Sequence, residues 1–283
     1  MDPTLDIPSI NPVALLRKHQ LNPKKGLGQN FLVDAGTLKR IVCAAEVNTT
    51  SAVLEIGPGL GSLTRYLAQA SRRVVAVELD QQMVPILREV VSEWNNVEIV
   101  QGDILEQNPG QLMAEDDYLV VANIPYYITS AVIRHLLQSQ IKPARLVLTM
   151  QLEVAQRICA LPGDLSLLAL SIQVYGKPRN VLRIPAGAFY PAPKVDSATL
   201  RVDLFPQPLI PTNQIETFFQ LAKAGFSQKR KTLRNSMSGG LGLPRENVEQ
   251  LLTSARVDPQ RRAETLSLEE WKLLTEIYCS QKS

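Results

Sequence analysis

Asn123-Ile124-Pro125-Tyr126 closes an apolar run, Tyr118 to Ala122, that reads as a strand ending there. The Asn123 carbonyl can accept from an exocyclic amine. Pro125 fixes its own φ and biases Ile124 toward an extended backbone. The Tyr126 ring offers a stacking face, worth about 1–3 kcal/mol per base in proteins that bind single strands. Together these residues suit a pocket for a flat, amino-bearing heterocycle. The competing reading is a polar strand-to-helix turn with a buried Tyr, and the upstream sequence weighs against it.

Gly57-Pro58-Gly59-Leu60-Gly61 turns a short apolar strand, Val53 to Ile56, into a helix. Such turns let backbone pass close to a nucleotide-like ligand. A dinucleotide fingerprint would need glycine where Ser62 stands, and a P-loop would need Gly-Lys-Ser/Thr; neither is present. Glu55 sits just before the turn. Glu78 ends the second strand, 21 residues after Gly57, where a carboxylate can accept from both ribose hydroxyls. Asp103 ends the third strand, placed to meet an adenine amino group. No basic side chain lies between Glu55 and Thr64 to compensate a pyrophosphate. S-adenosyl-L-methionine carries none, and its cationic sulfonium suits an acidic segment. Gly57, Glu78, Asp103 and Asn123 each fall at the C-terminal end of a strand, where open α/β sheets bind ligands.

The elements that must position these residues alternate. Strands are expected at 53–56, 73–78, 97–101, 118–122 and 145–150, with helices at 35–45, 63–69, 81–94 and 130–138. Continuous apolar strands imply a parallel sheet covered on both faces. Residues 167–175 and 195–204 read as a possible edge hairpin, separated by a Pro-rich stretch. Residues 206–211 read as a linker, and the pattern beyond is helical only, at 213–226, 229–236, 245–255 and 267–280. The expected division is a loose leader over 1–21 carrying a short helix at 13–20, a cofactor-binding domain over 22–206 and a helical domain over 207–283.

Bulk properties narrow the classes. The 283 residues are 45% hydrophobic, ordinary for a globular chain. No window offers 18 uninterrupted apolar residues, and the N-terminus resembles neither a secretory signal nor a transit peptide, so no membrane contact and a cytoplasmic location are expected. Three separated cysteines and two histidines imply a reducing compartment and no metal site. Residues 1–40 carry net charge +3, residues 41–206 −3 and residues 207–283 +3. Basic ends around a mildly acidic middle suit a small-molecule site bordered by surfaces that touch a polyanion.

The chain resembles the ribosomal RNA adenine N6,N6-dimethyltransferases over about residues 22–275. Lys25-Gly26-Leu27-Gly28-Gln29-Asn30-Phe31-Leu32 is similar to the family's N-terminal cofactor loop, and Leu54-Glu55-Ile56-Gly57-Pro58-Gly59-Leu60-Gly61 to its first methyltransferase motif. Asn123-Ile124-Pro125-Tyr126 is similar to its catalytic tetrapeptide. Residues 150–157 and Phe189-Tyr190-Pro191-Ala192-Pro193-Lys194-Val195-Asp196-Ser197 also fit. Residues 230–235 and 261–267 resemble the branch acting on two adjacent adenines near the 3′ end of small-subunit rRNA. The family commonly has Asn where this chain has Tyr127.

The resemblance implies an α/β, Rossmann-like S-adenosylmethionine-dependent methyltransferase fold with a smaller all-helical C-terminal domain. It implies cofactor contacts at Asn30, Leu32, Gly57, Gly59, Glu78, Asp103 and Asn123. The catalytic set is Asn123, Ile124, Pro125 and Tyr126, with Phe189 covering the base's other face. RNA is expected to meet Lys24, Lys25, Lys223, Lys229, Arg230, Lys231 and Arg234; no acid occurs between Glu216 and Glu246. Arg261, Arg262 and Glu264 read as an ion-paired cap on the last helix. The expected partner is small-subunit rRNA within an immature 30S-type ribosomal subunit, met by a monomer. The alternatives are a large-subunit rRNA enzyme of the antibiotic-resistance type, an adenine methyltransferase acting on DNA, an assembly or transcription factor working chiefly by binding, and a small-molecule methyltransferase.

Overall fold

The structure is a computed structural model describing residues 7–282. Residues 1–6 of the expected leader, and Ser283, lie outside the described residues. In chain order the first elements are α1 (Pro12–Lys18), β1 (Phe31–Leu32), α2 (Ala35–Ala45), β2 (Ala52–Ile56), α3 (Ser62–Ala70) and β3 (Arg73–Glu78). Next come α4 (Val84–Val90), β4 (Val97–Gln101), α5 (Pro109–Met113), β5 (Leu119–Asn123), α6 (Thr129–Gln138) and β6 (Arg145–Gln151). Then follow α7 (Leu152–Ile158), α8 (Leu167–Gln173), β7 (Gly176–Ile184), β8 (Phe189–Tyr190) and β9 (Ser197–Leu204). The last helices are α9 (Ile215–Phe226), α10 (Leu233–Leu241), α11 (Arg245–Ser254) and α12 (Leu268–Lys282).

Seven strands form one sheet in the order β4-β3-β2-β5-β6-β9-β7. β2 pairs in parallel with both β3 and β5, and β6 pairs antiparallel with β9. The winding reverses between β2 and β5, which makes their C-terminal ends the crevice where such sheets bind ligands. Val53, Val74, Val121 and Val147 share one face and pack on Leu38, Ile41, Leu63 and Leu67 of α2 and α3. Their neighbours Leu54, Val75, Val120 and Leu146 point to the other face and are completely buried. Burial on both faces explains the unbroken apolar runs.

The chain divides into two compact units, one of residues 1–155 and 179–204 and the other of residues 156–178 and 205–283. The boundary expected at 206 is thus one of several crossings. Residues 156–178 group with the helical unit because Leu165, Ala169, Leu170 and Val174 enter the same apolar core as Phe218, Leu221, Met237, Leu252 and Trp271. The Phe205 and Leu209 N–H groups, donating to the carbonyls of Tyr175 and Val174, reinforce that grouping.

Within the run 167–175, Leu167–Gln173 is helix rather than hairpin strand, and a turn follows it. Ser166 caps the helix by accepting from the Ala169 N–H, and Ala169, Leu170 and Ile172 are buried. A short apolar run does not reveal its period, and here the cap decides. The strand beside β9 is instead β7. Nor is the described part of the leader loose. Leu16 packs with Phe31, Leu60, Met83 and Ile86, and Lys18 and His19 both bond Glu89. The helix expected at 229–236 begins only at Leu233, so Lys229, Arg230 and Lys231 sit on the preceding turn.

Candidate active site

The C-terminal rim of the sheet encloses a cavity of about 1040 Å³, counting its open mouth. Gly57, Gly59, Glu78 and Asp103 line one part, and Asn123, Ile124, Pro125 and Tyr126 another. Asn30, Leu32 and Phe189 line it too, so every residue expected at the cofactor and the reacting base borders one space.

Each wall has a local cause. Gly59 has φ +56°, and a Cβ there would sit 2.9 Å from the Phe31 ring. Its N–H donates to Glu78 Oε2 at 2.9 Å. Gly61 caps α3 with φ +79°, a conformation glycine reaches without strain. The segment 24–32 lies across the turn as a strap. It is held by an antiparallel pairing in which Phe31 faces Tyr190 and Leu32 faces Phe189. Asn123 Nδ2 donates to the Asn30 carbonyl at 3.0 Å. That commits the donor end of the amide to the strap and leaves Oδ1 as the atom for a ligand's N–H. The Ile124 N–H donates to the Thr149 carbonyl. The Tyr126 hydroxyl bonds Ser197 Oγ at 2.6 Å, which fixes the ring. Phe189 is 5% exposed and belongs mainly to the apolar core with Leu32 and Leu63, so only a small part of its surface meets the cavity.

The cavity is acidic. Among the described residues lining it none is basic, whereas Glu55, Glu78 and Asp103 are carboxylic acids. Burial, opposed by the nearby Thr64 hydroxyl and reinforced by the charge of Glu78, pushes Glu55 up to about 8. Its Oε2 has no hydrogen-bond partner among the described residues. Burial also raises Glu78, although the N–H groups of Asp80 and Gly59 oppose the shift. Asp103 Oδ1 accepts from the Leu105 N–H, which aims the loop after β4. A cation-free space with a glycine turn, the carboxyls of Glu78 and Asp103 as acceptors and an orphaned oxygen on a largely protonated Glu55 fits S-adenosyl-L-methionine, whose hydroxyls and amino groups need acceptors and whose sulfonium a neighbouring cation would repel. Among the described residues no cluster of three or more His, Cys, Asp or Glu is placed to hold a metal, and no helix is long and apolar enough to cross a membrane.

The expected RNA contacts separate into two kinds. Lys25, Lys223, Lys229, Arg230 and Lys231 are exposed. Lys24 and Arg234 are already paired, Lys24 with Asp80 at 2.7 Å and Arg234 with Glu249 at 2.8 Å. Arg261 pairs with Glu270, and Arg262 lies 3.9 Å from Glu264. Glu270 also accepts from the Ser267 N–H while Ser267 Oγ accepts from the Glu270 N–H, a reciprocal capping box on α12. Asp80, Gln29 and Ser197 escaped the sequence reading as individual site residues. Gln29 and Ser197 lie inside the motifs quoted for the resemblance, whereas the only signal for Asp80 is its place as a second acid two positions beyond Glu78.

Comparison with known proteins agrees with this geometry. A family model described as ribosomal RNA adenine dimethylase matches residues 20–279. The ribosomal RNA small subunit methyltransferase A of Dehalococcoides mccartyi is 45% identical over 266 residues, covering 93% of this chain and 91% of its own. That of Bacillus mycoides is 39% identical over 271 residues, covering 92% and 93%. Among solved structures, the 23S rRNA methyltransferase ErmE superposes with TM-score 0.70 at 31% identity, covering 88% of this chain and 99% of its own. A dimethyladenosine transferase from Plasmodium falciparum shares the fold with TM-score 0.75 at 24% identity, covering 89% and 98%. With its α/β methyltransferase fold and its acid-lined, tetrapeptide-walled cavity, the chain belongs to the ribosomal RNA adenine dimethylase family.

Proposed function

We propose that the protein dimethylates N6 of two adjacent adenines in a loop near the 3′ end of small-subunit (16S) rRNA, as a cytoplasmic monomer acting on an immature 30S-type ribosomal subunit. The observation that carries this reading is the acidic cavity at the β2/β5 switch point, continuous with the Asn123 tetrapeptide. Relatives named for the small subunit match at 39–45% identity, against 31% for the large-subunit enzyme ErmE, which favours the small-subunit target over the alternatives.

When bound, S-adenosyl-L-methionine supplies an electrophilic methyl on a sulfonium that departs as a neutral thioether, so no protein acid is needed at the leaving group. Glu78 would hold the ribose hydroxyls through lone pairs left over from its two backbone N–H bonds. Asp103 would accept from the adenine amino group. On the acceptor side, Asn123 Oδ1 and the Ile124 carbonyl would accept the two N6 hydrogens. That turns the nitrogen lone pair out of conjugation and offsets the positive charge that develops on it. The proton then leaves to water, and no side chain serves as general base. Tyr126, anchored through Ser197, stacks on the base. The target adenine must be unpaired or flipped out to reach this pocket.

The test is incubation with labelled S-adenosyl-L-methionine and immature small subunits, large subunits or DNA, followed by mapping of the label. Label on two adjacent loop adenines near the small-subunit 3′ end is the expected result. Transfer to no RNA at all would sink the proposal.

A further inference from the structure

Lys24 was expected to meet RNA phosphate, yet its ammonium is turned inward. Nζ bonds Asp80 Oδ1 at 2.7 Å, and the Asp80 side chain is only 3% exposed. Gln29 Nε2 donates to the other oxygen, Oδ2, at 2.8 Å. The Lys24 N–H in turn donates to Gln29 Oε1 at 2.7 Å, closing the strap's turn on itself. The Gln82 N–H completes the carboxylate at 3.1 Å. Burial pushes the Asp80 carboxyl up, but the bonds from Lys24, Gln29 and Gln82 outweigh it, and the group sits below the ordinary carboxylate range. A buried charge satisfied this fully is costly to disturb from either side.

What makes Asp80 more than a structural anchor is its backbone. Its N–H donates to Glu78 Oε1 at 2.8 Å, while Gly59 holds Oε2. One residue therefore fixes both the orientation of the Glu78 carboxylate and the N-terminal end of the strap. At the strap's other end the Asn30 carbonyl is tied to Asn123. The strap borders the cavity and is fastened at both ends, by hydrogen bonds to Asp80 two residues beyond β3 and to Asn123 at the end of β5.

We propose that Asp80 is a positioning residue for cofactor binding, with Lys24 and Gln29 as the latch through which it closes the 24–32 strap over the ligand. Lys24 then serves the small molecule, not the nucleic acid. This inference rests on the reading of the cavity as the S-adenosyl-L-methionine site.

The experiment is calorimetric titration of the full chain with S-adenosylhomocysteine, beside titration with a small-subunit rRNA fragment at several salt concentrations. Amide hydrogen exchange over residues 24–32 gives a second readout. Asp80→Asn should weaken S-adenosylhomocysteine binding by about tenfold. Lys24→Met should weaken it by about threefold or more and speed exchange in the strap, while RNA affinity and its salt slope stay as in the wild type. Lys24→Arg should restore most of the cofactor affinity. If Asp80→Asn does not fold, Lys24→Met carries the test, because that side chain is 41% exposed. Unchanged S-adenosylhomocysteine affinity in Lys24→Met overturns the latch. So does loss of RNA affinity together with a salt slope shallower by about one phosphate. A wild-type protein that binds no S-adenosylhomocysteine overturns the proposed function instead.

Discussion

Asn123 uses the two ends of one amide for different tasks: Nδ2 ties down the strap, and Oδ1 is left to receive the base's amine. Asn123→Ala should lower methyl transfer by about 100-fold or more, in the range of losing an oriented polar group at a reacting centre. RNA affinity should stay within about twofold, and equal loss of both in filter-binding and transfer assays would mark Asn123 as structural. Glu55 invites a pH experiment. Its ordinary value of 4.5 rises to about 8 on folding, so the folded state holds a proton that the unfolded state has released. Stability contributed this way is complete below pH 4.5 and declines by about 1.4 kcal/mol per pH unit until the folded value is passed. Glu55→Gln should therefore flatten the decline, with urea midpoints diverging from the wild type in its favour toward pH 8 and converging near pH 5. The strand-end residues were legible because type and spacing coincide at Gly57, Glu78, Asp103 and Asn123. The pairing of Lys24 with Asp80 was not legible because the two lie 56 residues apart, and nothing local distinguishes a lysine that is paired from one that is free.

At the scale of elements, the strap and the glycine turn are mutually dependent. Gly59→Ala places a methyl group 2.9 Å from the Phe31 ring at φ +56°. The left-handed backbone alone costs about 1–2 kcal/mol for a residue with a Cβ. The variant should melt a few degrees lower and bind S-adenosylhomocysteine more weakly, since Phe31 must move and β1 with it. On α12, Glu270→Ala removes the capping box and the Arg261 pair together. Its expected cost is about 1–2 kcal/mol, measurable by urea unfolding, with cofactor affinity unchanged. The parallel strands could be read from the sequence because apolar runs buried on both faces admit few alternatives. The stretch 167–175 could not, because Leu167 to Val174 is apolar almost throughout and its single cap, Ser166, precedes it inconspicuously.

Across the whole molecule, net charge is a poor guide to where a polyanion is met. Lys229, Arg230 and Lys231 are exposed, while Arg234, close by in sequence, is paired with Glu249. Replacing the three exposed residues with Ala should make the slope of log affinity against log salt shallower by about two, at roughly 0.7 per phosphate for single strands. Arg234→Ala should leave that slope unchanged and lower thermal stability instead. The chain's path has another consequence. Because the helical unit is assembled from residues 156–178 and 205–283, it is not a terminal extension that a lineage could gain or shed with one genetic break. Recombination at 206 between two relatives would leave Leu165, Leu170 and Val174 from one parent to fit around Phe218 and Trp271 from the other. The helical unit should therefore be inherited with the catalytic one, and hybrids should succeed only where both junctions move together.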